Sequence, residues 1–133
     1  MLTNYTEYLE SPKSLPMEAM QSIHAQMISE IGKDVEATEL YNELIKKAVQ
    51  YSSYRANWFV WDREKRREED SGRSSCHNAL IVRFNMLARY LKMQGKTAIW
   101  RDELGYEEEN AYYRKRIGDF ACYLVFVNSL NAR

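Results

Sequence analysis

Helix breakers are few in this chain, and their spacing sets what it can fold into: Pro12, Pro16, Gly32, Gly72, Gly95, Gly105 and Gly118 are the only prolines and glycines in 133 residues. Between them, apolar residues recur every three or four positions, the period of an α-helix that turns one face to a core. The reading is an all-α fold, a helical bundle of about four main helices with one long second helix and a short connecting helix.

Residues 1–14 read as an N-terminal arm carrying Tyr5, Tyr8 and Leu9, and residues 15–133 as a single helical domain. Ser14 is suited to cap a first helix from about Pro16 to Ile31, where Ile23, Met27 and Ile31 share a face beside Met20. The second helix is expected to start at Asp34 and to run to about Glu69, through Tyr41, Leu44, Ala48, Tyr51, Trp58 and Trp61. At 1.5 Å per residue it would exceed roughly 50 Å. Its last turns, Asp62 to Asp70, hold four basic and five acidic residues, the pattern of a solvated face.

Ser71, Gly72, Ser74 and Ser75 read as a turn and cap before a third helix, whose seam is Leu80, Phe84, Leu87 and Leu91 and whose end is Gly95. Thr97 is placed to cap a short helix with Ile99, Trp100 and Leu104, closed by Gly105. Glu107, Glu108 and Glu109 then fall where the N-terminal dipole of a last helix favours acids. That helix carries two stripes, Tyr113, Ile117, Phe120, Ala121 and Leu124 on one side and Tyr112, Tyr123, Phe126 and Leu130 on the other. Such a helix is expected to lie between partners.

Nineteen basic and nineteen acidic residues cancel, which argues against a long nucleic acid as partner. The longest apolar run, Phe120 to Val127, falls far below the roughly 20 residues of a membrane span, so no membrane is expected. Cys76 and Cys122 are far apart and the N-terminus lacks a secretion pattern, which points to reduced thiols in the cytoplasm. With two histidines, no Glu-x-x-His and no spaced cysteine pair, neither a metal site nor a cofactor is expected. Gly95-Lys96-Thr97 resembles the tail of a phosphate-binding P-loop, but Tyr90 stands where the first glycine belongs and a helix precedes it.

Three groups of residues carry the functional expectation. His77 falls on the seam of Leu80, Phe84 and Leu91 and so points inward, where an imidazole serves as general acid or base or as a hydrogen-bonded core residue; Arg73 lies just before it. Tyr54, Trp58 and Trp61 recur at helical spacing beside Arg55, Arg63 and Lys65, a mixture suited to packing, to a subunit interface, or to stacking on a ligand. Asp119, next to a glycine that signals close packing, is expected to pair with an arginine such as Arg73, Arg116 or Arg101, and Arg101 joins the candidate ligand-binding set.

The Arg73 and His77 pair resembles the catalytic motif of HEPN ribonucleases, helical proteins in which four to six residues separate an arginine from a histidine; here the gap is three. That resemblance implies a metal-independent ribonuclease or phosphotransfer enzyme with His77 and Arg73 as catalytic residues. His77-Asn78-Ala79-Leu80-Ile81, Trp100-Arg101-Asp102-Glu103-Leu104 and Ile117-Gly118-Asp119-Phe120-Ala121-Cys122-Tyr123-Leu124 resemble a group of small helical proteins of Gram-positive bacteria and their phages. That resemblance implies a helical fold and a phage, counter-defence setting, without catalytic residues. The surplus of ten tyrosines and three tryptophans leads to the principal expectation. It is a non-enzymatic binding protein, a homo-oligomer, that engages a protein partner or sequesters an anionic, nucleotide-like small molecule. A purely structural oligomeric partner protein is the remaining alternative.

Overall fold

The computed structural model describes residues 15–104 and 113–131, and among these all regular structure is helical. Five helices follow one another: α1 (Met17–Ile31), α2 (Val35–Trp58), α3 (Arg63–Met93), α4 (Ile99–Glu103) and α5 (Tyr113–Asn131). The arm expected over 1–14, Ser14, Gly105, the Glu107–Glu109 run, Tyr112, and the side chains of Tyr113 and Leu130 lie outside the described residues.

The bundle is organised around α2, whose buried residues Ala37, Tyr41, Leu44, Ala48, Tyr51 and Arg55 repeat at steps of three and four and so form one continuous stripe. α2 and α3 form an antiparallel hairpin, shown by contacts that run in opposite senses: Tyr90 reaches Asp34 near one end, His77 meets Tyr51 further along, and Gly72 meets Tyr54 near the other. α5 also lies antiparallel on α2, with Asp119 beside Arg55 and Asn128 beside Tyr41. α1 closes the bundle through Met20, Ile23, Met27 and Ile31, as its periodicity predicts. Leu80, Phe84, Leu87 and Leu91 from α3 meet Ile117, Phe120, Ala121 and Leu124 from α5 in the core, with the Phe84 and Phe120 rings 5.9 Å apart.

The largest departure from the expected helix boundaries is between the second and third helices. The long second helix predicted to reach Glu69 ends at Trp58, and 59–62 form a tight elbow in which the Val60 and Trp61 amides both donate to Asn57 O. Asp62 then caps α3, its Oδ1 accepting from Lys65 N at 2.8 Å. The charged stretch from Asp62 to Asp70 therefore opens the third helix instead of closing the second, and the 31-residue α3 is the longer of the two. The turn and cap predicted at Ser71, Gly72, Ser74 and Ser75 are helix interior. Gly72 is there for contact: a Cβ at this position would run into the Tyr54 hydroxyl across the hairpin.

The short helix also starts differently. Thr97 does not cap α4 with its side chain; Ala98 sits at the N-cap in the left-handed region, at φ +48°. The segment is held from α1 by Glu30, whose carboxylate accepts from Thr97 N (3.1 Å), Thr97 Oγ1 (3.2 Å), Ala98 N (3.2 Å) and the indole Nε1 of Trp100 (2.8 Å). Trp100 is thereby fully buried while its one polar atom stays bonded.

Candidate functional site

The residues singled out in the sequence divide among four places. Tyr54, Trp58, Trp61 and Arg73 meet at the elbow between α2 and α3. Asp119 lies in the core against α2, and Arg101 lies at the opposite end of α3 from the elbow. His77 is interior, between the elbow and the middle of the hairpin.

At the elbow the chain ends one helix and starts another within a few residues, so Trp61 of the elbow folds back against Tyr54 and Trp58 of α2. The Trp61 ring stands nearly perpendicular to Tyr54, with centroids 6.3 Å apart and an interplanar angle of 82°. Trp58 lies 6.2 Å from Trp61 at 60°. Cations from the first turns of α3 rest on these rings: Arg73 lies 4.3 Å from the Trp58 centroid, Arg66 6.0 Å from the same ring, and Lys65 5.5 Å from Trp61. Arg66 Nε also donates to Trp58 O at 2.6 Å, and Arg73 Nη2 donates to Asp70 Oδ1 at 2.8 Å. The three aromatic rings remain half-buried, and Val60 at the tip of the elbow is 78% exposed. An aromatic cluster stiffened by its own cations, with an apolar tip in water, is what this geometry presents.

The Asp119 pairing corrects the sequence expectation. None of Arg73, Arg116 or Arg101 is its ion-pair partner here; Arg55 Nη1 donates to Asp119 Oδ1 at 2.5 Å, and both side chains are almost wholly buried. Lys115 Nζ lies 3.3 Å from each Asp119 oxygen, and Leu15 N donates to Oδ2 at 2.9 Å. Burial pushes the Lys115 ammonium below its ordinary range, and Asp119 opposes that shift. Gly118 makes the pairing fit, since a Cβ there would strike the Arg55 guanidinium and come within 2.9 Å of the Tyr51 ring. The close packing expected of this glycine is what the structure shows.

His77 points inward as its seam position predicts, is 5% exposed, and packs edge-on to Tyr51 at 5.2 Å. Arg73 and His77 lie one turn apart on α3, yet Arg73 is turned to Asp70 and Trp58 while His77 is turned to the core. The two side chains therefore face different surroundings and frame no shared cleft among the described residues.

A further region was read in the sequence only at Arg101. One face of the last turns of α3, formed by Asn85, Ala88, Arg89, Lys92 and Met93, meets Arg101 and Asp102 of α4 around an open groove of about 430 Å³. Arg101 is 3% exposed, and its Nε donates to Asn85 Oδ1 at 2.9 Å. Arg89 and Lys92 lie on the exposed side of a helix whose inner seam is apolar, so nothing in their spacing marked them out.

Among the described residues no helix is long and apolar enough to cross a membrane, and no cluster of three potential metal ligands occurs. Cys76 and Cys122 form no disulfide, and burial raises the Cys76 thiol, which suppresses its thiolate. In comparisons with known proteins, no family model, no curated protein and no solved structure matches this chain.

Proposed function

We propose that this chain is a non-enzymatic binding protein that engages a protein partner through the elbow between α2 and α3. The observation that carries the reading is the half-buried Tyr54, Trp58 and Trp61 cluster, braced by Arg66 and Arg73 and led by the exposed Val60. Trp, Tyr and Arg are the side chains that most often dominate binding hot spots, because they bury large areas with little loss of freedom. Here that freedom is already restricted by contacts within the chain, so less remains to be lost on docking.

Charge bears on the class of partner. The flanking Asp62–Asp70 segment has four basic and five acidic residues, so the surface carries no net attraction for a polyanion and suits a protein face of mixed charge. A second copy of the chain offers such a face, which keeps homo-oligomerisation within the same reading. The resemblance of the C-terminal half to small helical proteins of Gram-positive bacteria and phages supports, by analogy, a cytoplasmic counter-defence setting. A ribonuclease built on Arg73 and His77 draws less support, because His77 lies against Tyr51 in the core and Arg73 is engaged by Asp70 and Trp58.

The test places a photo-cross-linking residue at Val60 in the full chain, expressed in its host, and identifies adducts by mass spectrometry alongside light scattering of the purified protein. The expected result is one dominant protein adduct, either the chain itself or one partner, whose affinity falls about tenfold or more in Trp61→Ala, with the circular dichroism spectrum unchanged. Only diffuse adducts, or full affinity in Trp61→Ala, would sink the proposal.

A further inference from the structure

A chain of hydrogen bonds from Asn128 through Tyr41 to His24 joins α5 and α2 to α1, and we infer that it is a proton-operated latch: it seats α1 while His24 is neutral and releases α1 when His24 takes up a proton. The inference does not rest on the elbow or on the function read from it.

The direction of the chain follows from its donors. Asn128 Nδ2 lies 2.8 Å from Leu124 O and 3.0 Å from the Tyr41 hydroxyl; a carbonyl oxygen can only accept, so the amide nitrogen stands there and donates one hydrogen to each. The Tyr41 oxygen is therefore an acceptor toward α5. Its own hydrogen is left for its other neighbour, His24 Nε2 at 3.2 Å, which must be a bare ring nitrogen to accept it. The arrangement selects one form of His24, the neutral imidazole with its hydrogen on Nδ1.

Protonation sets the chain against itself. Nε2 then carries a hydrogen, the Tyr41 oxygen meets two donors, and the phenolic hydrogen loses its acceptor, with no other partner for it among the described residues. Tyr41 is 8% exposed, so water reaches that hydroxyl poorly. The new charge also goes uncompensated. The groups that meet the ring are two uncharged phenols, Tyr41 from α2 and Tyr123 from α5, the latter edge-on at 5.9 Å. On α1 itself the neighbours one turn away are Met20, Gln21, Met27 and Ile28. No carboxylate or cation among the described residues acts on His24, and burial holds its pKa below the ordinary value.

The place of His24 turns this local conflict into a movement. Among the described residues it makes the one hydrogen bond from an α1 side chain to α2 or α5; the rest of that seat is the apolar row Met20, Ile23, Met27 and Ile31, and α1 starts at Pro16 without a side-chain cap. Apolar contact has no direction, so the directional part of the seat is this chain. Hydrating the imidazolium draws it from between Tyr41 and Tyr123 and lifts the apolar row with it. α1 also carries Glu30, which holds the Thr97 and Ala98 amides and the Trp100 indole. Release therefore travels to α4 and spares the α2–α3 hairpin, whose cross-contacts, such as Tyr51 on His77, involve neither helix.

Two measurements on the full chain test the latch. Long-range nitrogen–proton NMR at about pH 7.5 reads the tautomer of each histidine, with His24 assigned by its loss in His24→Gln; the expected form carries hydrogen on Nδ1. Amide exchange, divided by the intrinsic rate at each pH, reads the seating of α1. Between about pH 7.5 and about pH 5.5 the protection of α1 and of the Thr97 and Ala98 amides should fall roughly five- to tenfold, the limit set by one proton whose ordinary pKa is 6.5, while the α2–α3 hairpin changes less than about twofold. In His24→Gln the fall should vanish. Tyr41→Phe removes the donor to Nε2 and should raise the His24 pKa toward its ordinary value in an NMR titration. Hydrogen on Nε2 at neutral pH, undiminished protection of α1 in acid, an equal loss across the hairpin, a fall that persists in His24→Gln, or a His24 pKa not raised by Tyr41→Phe would each overturn the inference.

Discussion

The Arg55–Asp119 pair makes the sharpest prediction about stability. Asp119→Ala removes a carboxylate that the structure surrounds with the Arg55 guanidinium, the Lys115 ammonium and the Leu15 amide. Lys115 is 13% exposed at the side chain and can turn its ammonium toward water, but Arg55 is 4% exposed and boxed in by Gly118 and Tyr51, so its charge stays buried after the Asp119 carboxylate is gone. Breaking a buried pair in this way costs about 3–5 kcal/mol, and the lost Leu15 bond adds about 1 kcal/mol. Replacing both members, as Arg55→Met with Asp119→Leu, removes the charge and its partner together. It should cost less than Asp119→Ala alone, because the desolvation penalty of the ions disappears with them. Urea unfolding followed by circular dichroism, with the slope of the transition checked for constancy, measures both changes. If Asp119→Ala cost less than about 1 kcal/mol, or the double variant were less stable than the single, the pair would not be the buried anchor described.

Other outcomes can be checked with simpler measurements. Glu30→Gln cannot accept all the bonds that reach Glu30 from Thr97, Ala98 and Trp100, and should cost about 2 kcal/mol, seen as a drop in melting temperature of roughly 8 °C. Gly118→Ala forces its methyl onto Arg55 and Tyr51 and should destabilise by about 1–3 kcal/mol. In Gly72→Ala the methyl meets only the outer end of the Tyr54 side chain, and the helix propensity of alanine offsets about 1 kcal/mol; stability should stay close to the parent while the fluorescence of the elbow tryptophans shifts. Burial holds the His24 imidazole below its ordinary value of 6.5, so between the two pKa values the unfolded chain binds the extra proton. The contribution of neutral His24 is therefore complete above pH 6.5 and is lost as pH falls through that value toward the folded pKa; the melting temperature should drop more steeply below pH 6.5 in the parent than in His24→Gln. His77 and the carboxylates are common to both proteins, so the difference between the two profiles isolates His24.

Much of the fold was legible because capping and periodicity agreed. Gly32 ends α1 and Asp34 starts α2 as read, and the α3 seam and Ile117, Phe120, Ala121 and Leu124 of α5 are buried where the three-and-four spacing placed them. The elbow escaped notice for a physical reason. Trp58 and Trp61 keep helical spacing across the break, and an aromatic pair gives the same pattern whether it lies on one helix or folds back at the end of one. Gly72 misled in the opposite direction, since a glycine that admits a neighbouring ring and a glycine that stops a helix are the same letter.

The site was legible in part. The sequence singled out Tyr54, Trp58, Trp61 and Arg73, and the structure brings them together. Arg55 was available as a clue, because it continues the buried step from Ala48 and Tyr51, and a charge on an apolar stripe calls for a buried counter-charge. Arg89 and Lys92 gave no signal, because the groove they line depends on α4 folding back beside α3, a contact between segments that local spacing does not encode.

The carboxylate of Glu30 gives that last contact a further meaning. α4 has only five residues, too few to hold a helical turn by its own backbone bonds, and the strongest polar clamp on its entry comes from α1, far earlier in the chain. Arg101 and Asp102 thus borrow their position from a helix that never touches the groove they line. Loosening α1 would unmake one wall of that groove and leave the α2–α3 hairpin standing, so the shape of one end of the molecule is wired to the seating of its first helix.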